Sequence, residues 1–156
     1  MTELALPKID KDTISRKDQI VSHLKKFTKD ENILSENEEI KPYETDGLAA
    51  YKQTPLAVVL PENTKEVSEI LKFCNEENIK VIPRGAGTGL SGGALPLQDA
   101  ILLGLGKFNK ILEIDFENKC VVTQPGVTNL GITHAVQHKG YYYAPDPSSQ
   151  LACSIG

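Results

Sequence analysis

Between Pro83 and Gly93 the chain reads Pro-Arg-Gly-Ala-Gly-Thr-Gly-Leu-Ser-Gly-Gly, with five glycines inside nine positions. Ordering a glycine costs about 0.5–1 kcal/mol more than ordering alanine in regular structure, so such a run implies positive φ angles or close backbone approach to a ligand. Successive bare N–H groups turned inward make an anion nest, and phosphate is the natural occupant. Gly87, Gly89 and Gly92 satisfy the spacing G-x-G-x-x-G. A Rossmann loop, however, must open a helix whose N-terminus faces the pyrophosphate. Here Pro96 follows closely, and the next apolar run, at Ile101, is strand-like. The P-loop spelling, G-x-x-x-x-G-K followed by Ser or Thr, is absent as well. What remains is a glycine loop between strands that takes a pyrophosphate on its backbone amides, with the hydroxyls of Thr88 and Ser91 and the cation of Arg84 beside it. The alternative is a structural turn with Arg84 as an ordinary surface cation.

The elements that must position this loop follow from periodicity. Ile20, Val21, Leu24 and Phe27 recur at helical spacing behind Thr13, which predicts an amphipathic helix over 14–29 with Thr13 as its cap. Residues 32–54 show no period and read as a loop or irregular arm. Ala57 to Leu60, closed by Pro61, is a buried strand. Asn63 then caps a helix with Glu66 as the returning acid, and Val67, Ile70, Leu71 and Cys74 share one face as far as about Glu77. Ile79–Ile82 is a second strand, completing a βαβ unit that should be parallel and right-handed. Beyond the loop, the runs 100–105, 111–115 and 120–124 predict a small β-meander. Thr128 caps a helix over 129–138, Gly140 ends it, and Tyr141–Tyr143 form a final strand. The fold class is α+β.

Composition excludes several functions. The 156 residues are 40% hydrophobic and 24% charged with a net charge of −4, and no apolar stretch approaches the roughly 20 residues of a membrane span. Met1–Asp12 lacks the basic-then-apolar plan of a secretory signal, so the expected location is cytoplasmic. Basic residues are scattered, which argues against nucleic acid as a partner. Cys74, Cys120 and Cys153 lie far apart, suggesting buried reduced thiols and neither a disulfide framework nor a metal site. His23, His134 and His138 fall in helical patterns and receive no role.

Two segments in order, PRGAGTGLSGGALP (83–96) and YAPDPSSQLACSIG (143–156), resemble the FAD-binding subunit of bacterial glycolate oxidase. The likeness also runs through Asp46-Gly-Leu, the strand at 54–61 and the Gln124-Pro-Gly turn, covering about residues 40–156. That subunit belongs to the flavoenzymes resembling vanillyl-alcohol oxidase and p-cresol methylhydroxylase (PCMH), whose FAD domain has two α+β subdomains. The resemblance implies that residues 1–50 form an N-terminal helix and arm and that 51–156 are the first part of a PCMH-type FAD-binding domain. The second FAD subdomain and the cap domain would be absent, and the chain a fragment.

By that resemblance, Arg84, Gly85, Ala86, Gly87, Thr88, Gly89, Leu90 and Ser91 wrap the FAD pyrophosphate. Pro145, Ser148, Ser149, Cys153, Ser154 and Gly156 lie along the flavin and ribityl side. Without the resemblance, this second segment reads as a polar surface loop. Some relatives attach FAD through a histidine four positions after the loop arginine; Thr88 stands there, which implies noncovalent FAD. The implied reaction is oxidation of a 2-hydroxyacid such as glycolate to the 2-oxoacid, with D-lactate and D-2-hydroxyglutarate as alternative substrates. A noncatalytic flavin or nucleotide module is the reading from another class. No catalytic residue is expected here, because one subdomain offers only one wall of a cofactor cleft. The family's iron–sulfur partner, and membrane association through partner subunits, are carried over with the likeness.

Overall fold

The run Ala100-Ile-Leu-Leu-Gly104 has no polar face, and the structure buries all five residues. In the computed structural model, which describes residues 7–156, this strand is the centre of the main sheet. In chain order the elements are α1 (Lys11–Ser15), α2 (Lys17–Leu24), β1 (Ile33–Leu34), α3 (Asn37–Ile40), β2 (Ala57–Val59), α4 (Thr64–Glu76), β3 (Lys80–Arg84), β4 (Ala100–Gly104), β5 (Ile111–Asp115), β6 (Cys120–Thr123) and α5 (Asn129–Val136). The main sheet has the order β1-β2-β4-β3, with β4 parallel to both neighbours and β1 antiparallel to β2. The expected β2-α4-β3 unit is present, but β4 lies between its two strands. A strand that is apolar on both faces belongs where both faces can be covered.

The faces of β4 divide the core. Ile101 and Leu103 join Ala57, Val59, Ile70, Phe73 and Cys74 under α2 and α4, while Leu102 meets Val58 and Ile40 on the other side. Asn63 caps α4 through the Glu66 N–H at 3.0 Å, as its spacing predicts. The buried face of α4 is shifted from the expected one: Leu71 is exposed and Phe73 takes its place against the sheet. His23 stacks on Phe73 with ring centroids 4.2 Å apart, a packing role for that imidazole.

Several sequence expectations change. The helix over 14–29 is two helices broken at Arg16, and its cap is Asp10, whose carboxylate accepts from the Asp12 N–H and the Thr13 hydroxyl. Thr13 is buried inside α1, so its hydroxyl serves the cap instead of being one. The irregular stretch 32–54 holds β1, α3 and a 3₁₀ turn, Lys41–Tyr43. Because β1 pairs with β2 and Ile20, Leu24 and Ile33 enter the main core, this N-terminal segment is built into the sheet rather than laid along it. The meander is divided: β4 belongs to the main sheet, and β5 and β6 form a hairpin of their own. Tyr141–Tyr143 is not a strand, since the Tyr143 N–H goes to the Thr133 hydroxyl and Tyr141 packs on Phe116. Of the three free cysteines, only Cys74 is buried, which pushes its thiol up to about 11. The Met1–Leu6 portion of the N-terminal segment, on which part of the secretory-signal argument falls, lies outside the described residues.

A polar network ties the segment between α2 and β1 to the chain just after β2 and β4. Glu62 accepts from Lys29 (3.0 Å), Lys107 (3.2 Å) and the buried Asn32 (3.3 Å), and Lys107 also reaches Asn32. Hydrogen bonding from Lys29, then Asn32 and Lys107, lowers the Glu62 carboxyl from 4.5 to about 2. A depressed carboxyl contributes stability above its unfolded pKa, and that contribution is lost as pH falls through its folded value. Glu62→Gln should therefore lower the urea midpoint at pH 7, and the gap to the parent should close between pH 4.5 and about 2. In the core, Leu102→Ala should cost about 2–5 kcal/mol by the same urea titration, because the site is sealed on both sides.

Candidate functional site

The glycine loop leaves the sheet at the end of β3, where the Leu105 N–H still donates to the Arg84 carbonyl at 2.8 Å. The Arg84 side chain does not extend along the loop. It folds back under it, and Nη1 donates to the carbonyls of Thr45 (2.7 Å) and Tyr43 (3.3 Å), with the guanidinium 5.7 Å from the Tyr43 ring centroid. Partial burial pulls the pKa of this guanidinium down and the charge of Asp46 opposes that, but an arginine stays cationic at any ordinary pH. Gly87 lies directly over it with φ +70°, and a Cβ there would come within 2.5 Å of Nε and 2.6 Å of Cζ. The positive φ favours glycine at 87, and a side chain there would displace the Arg84 guanidinium.

The second segment is tied down from the other side. The Asn129 N–H donates to the Cys153 carbonyl (3.0 Å), Ile155 N–H to Val127 (2.9 Å) and Gly156 N–H to Pro125 (2.9 Å), so residues 153–156 run beside the start of α5. Ser154 makes the junction with the glycine loop. Its Oγ accepts from the Ala86 N–H at 3.0 Å and donates to the Gly156 carbonyl at 3.0 Å. A Cβ on Gly85 would overlap both Ser154 Oγ and the Gly156 carbonyl, so the two segments meet here without room for a side chain. The structure thus joins Gly85 and Ala86 to Ser154 and Gly156. Pro145, Ser148 and Ser149 are held elsewhere: the Pro145 carbonyl accepts from Asn129 Nδ2 (2.9 Å), and the Ser149 carbonyl caps a turn by accepting from Ala152 and Cys153. Ser148 is exposed and Cys153 half-buried.

The glycine loop is packed on the chain at Gly47. A Cβ there would meet the Thr88 carbonyl oxygen at 2.6 Å, its carbon at 2.9 Å and the Gly89 carbonyl oxygen at 2.7 Å, so the loop backbone lies directly against Gly47. Gly89 and Leu90 are exposed, and among the described residues neither N–H has a protein acceptor. Free N–H donors on a short glycine loop are what an anion nest requires. Asp46 and Gly47 escaped the sequence reading of the site; the signal available was an Asp-Gly pair in a stretch with no period.

Residues 55–156 match the family described as FAD binding domain. The chain is 47% identical over 152 residues to the glycolate oxidase subunit GlcD of Escherichia coli strain K12, covering 97% of this chain and 29% of that protein. It is 32% identical over 136 residues to the mitochondrial D-2-hydroxyglutarate dehydrogenase of Arabidopsis thaliana, covering 87% of this chain and 24% of the relative. Among solved structures, substrate-bound p-cresol methylhydroxylase aligns with a TM-score of 0.71 at 27% identity, over 81% of this chain and 25% of that one. The chain belongs to the FAD binding domain family. It spans less than a third of the length of these curated relatives. The α+β fold expected from the sequence is the one found, and the alignment with p-cresol methylhydroxylase makes it PCMH-type.

Within this FAD-binding fold the loop and the 154–156 segment form one surface. A cleft of about 340 Å³, lined by Ile114, Phe116, Ile132, Tyr141 and Ile155 among others, lies between the β5-β6 hairpin and α5 and meets that surface only through Ile155. It offers apolar and aromatic walls, whereas the loop offers N–H donors. If Ser154 is the junction, Ser154→Ala should speed hydrogen exchange of the Ala86 amide, measured by NMR, while Leu103 in β4 keeps its protection. Unchanged exchange at Ala86 would mean that the two segments are held together by something other than this hydroxyl.

Proposed function

We propose that this chain holds the pyrophosphate of FAD, noncovalently, as the first part of the flavin domain of a 2-hydroxyacid oxidoreductase. The observation that carries the reading is the pair of unpartnered N–H groups at the exposed residues Gly89 and Leu90, on a loop whose other end docks against Ser154 and Gly156. The electrostatics agree. No acidic residue lies between Glu77 and Asp99 in a chain whose net charge is −4, so the loop itself carries no carboxylate to repel a diphosphate, and the buried Asp46 beneath it is opposed by the Arg84 cation. Thr88 and Ser91 add hydroxyl donors. Arg84 supports the cofactor from beneath, through the loop, with its guanidinium already engaged by carbonyls. Ser154 and Gly156 extend the surface towards the flavin, and Pro145, Ser148, Ser149 and Cys153 line the continuation of the same segment.

Bound FAD supplies the two-electron acceptor for oxidation of a 2-hydroxyacid to a 2-oxoacid. Glycolate is the favoured substrate, on the 47% identity to a glycolate oxidase subunit; the D-2-hydroxyglutarate dehydrogenase likeness keeps a longer 2-hydroxyacid as the second reading. This chain's residues bind and orient the cofactor, and none is assigned to proton or hydride transfer. We read residues 51–156 as the first part of the PCMH-type domain, with the N-terminal segment packed into its sheet. The groups that grip the substrate, the second FAD subdomain and the cap would lie in sequence beyond it. An iron–sulfur subunit is the proposed electron partner, and no helix among the described residues is long and apolar enough to cross a membrane. We favour a cytoplasmic location with membrane association through such partners.

Noncovalent attachment rests on Thr88, a residue with no nucleophilic nitrogen, at the loop position where some relatives carry histidine. Titrating FAD into the purified chain should quench flavin fluorescence saturably. Gly87→Val should weaken binding at least tenfold, because its Cβ would strike the Arg84 guanidinium. Acid precipitation of the saturated protein should leave all flavin in the supernatant. A folded parent chain that fails to bind FAD would overturn the reading.

A further inference from the structure

The glycine loop rests on residues that its own sequence does not contain. Four contacts converge on it from the Tyr43–Leu48 turn: the Thr45 and Tyr43 carbonyls on Arg84, the Tyr43 ring beside the same guanidinium, Gly47 against the Thr88 and Gly89 carbonyls, and Leu48 Cδ2 beneath Gly92. The turn is itself rigidly closed. The Gln53 N–H donates to the Glu44 carbonyl (2.8 Å), the Tyr51 N–H to Leu48 (3.2 Å), the Thr45 hydroxyl to Tyr51 (3.0 Å), and Lys52 pairs with Glu44 at 2.9 Å. Asp46 is buried to 6% exposure; one carboxylate oxygen accepts from the Leu48 N–H (2.9 Å) and the other has no hydrogen-bond partner. Its charge favours the half-buried cation of Arg84, which would otherwise sit among neutral carbonyls.

We propose that the Tyr43–Leu48 turn is a positioning platform for the glycine loop, and that Gly47 is the contact on which the Thr88–Leu90 backbone is seated. The proposal rests on the glycine loop being the pyrophosphate site, and it places the determinant of that site nearly forty residues upstream of the loop. The reasoning is steric. The Thr88 and Gly89 backbone can lie this close only if nothing larger than hydrogen is added at the Cα of residue 47. A methyl there must either shift the Thr88–Leu90 backbone, and with it the loop N–H groups, or lift the loop from the turn. Gly47 has no positive φ, so alanine strains nothing in its own backbone and acts only through this contact. Gly47 and Asp46 are positioning residues: the chemistry of binding belongs to the loop amides, and the platform aims them.

The test uses the full chain and two readouts. Trypsin cleavage of the Arg84–Gly85 bond, followed by mass spectrometry, reports release of the loop without any ligand, because in the parent the Arg84 side chain is clamped. Fluorescence titration with FAD reports the site. Gly47→Ala should raise the cleavage rate at Arg84–Gly85 at least tenfold and weaken FAD binding at least tenfold, with the thermal midpoint of the sheet unchanged within a few degrees. Arg84→Lys, which keeps the charge and the tryptic site but not the forked contacts, should raise cleavage in the same way and serves if Gly47→Ala does not fold. Parent-like cleavage in a folded Gly47→Ala chain overturns the platform whatever the FAD result, and so does raised cleavage with parent-like FAD affinity. Raised cleavage in a chain whose parent ignores FAD leaves the platform standing and removes the flavin reading instead.

Discussion

The apolar run at Ala100–Leu103 has no face to offer water, and much of the architecture follows from the need to cover it twice. Placing β4 between β2 and β3 lets Ile101 and Leu103 lie under α2 and α4 while Leu102 lies over Ile40 and Val58. Each such side chain contributes about 1.5–3 kcal/mol on full burial. That arrangement carries β3 to the sheet's edge with its last residue, Arg84, level with Gly104. The glycine loop therefore starts from the end of a parallel ladder rather than from a flexible connector, and ligand loops in open α/β sheets sit at such carboxyl ends.

From that starting point the loop is built as a backbone device. Its side chains are mostly short, the Thr88 and Gly89 carbonyls lie against Gly47, and its one cation is engaged beneath it. Charge for an anion is supplied by N–H dipoles and by the exclusion of carboxylates from the surrounding sequence. A site of this kind depends on peptide orientation, and peptide orientation is set by whatever packs behind. This is why Ser154 at one end and the Tyr43–Leu48 turn on the other side matter as much as the glycines between them. The N-terminal segment supports the sheet in a comparable way. Strand β1 extends it, α2 closes the core, and the Glu62 network ties the link between them to the chain just after β2 and β4.

The sequence by itself determined the elements whose signals are local. The apolar run before Pro61, the Asn63 cap with Glu66 three residues on, and the Thr128 cap before α5 all appear where residue spacing puts them. It also determined that the glycine loop lies between strands, because Pro96 and the run at Ile101 leave no room for a helix. Local signals do not decide which strands become neighbours, so the insertion of β4 between β2 and β3 and the separation of the β5-β6 hairpin were decided by tertiary packing. Tyr141–Tyr143 had strand-like composition but no partner, and a helix hydroxyl and an aromatic neighbour took the backbone and rings instead. The fate of Arg84 was likewise tertiary: a cation beside a phosphate loop reads as a phosphate ligand until the carbonyls of residues 43 and 45 are seen to occupy it. Gly47 shows the limit most clearly, since its requirement for glycine comes from two carbonyls some forty residues away, and no spacing in the sequence encodes that contact.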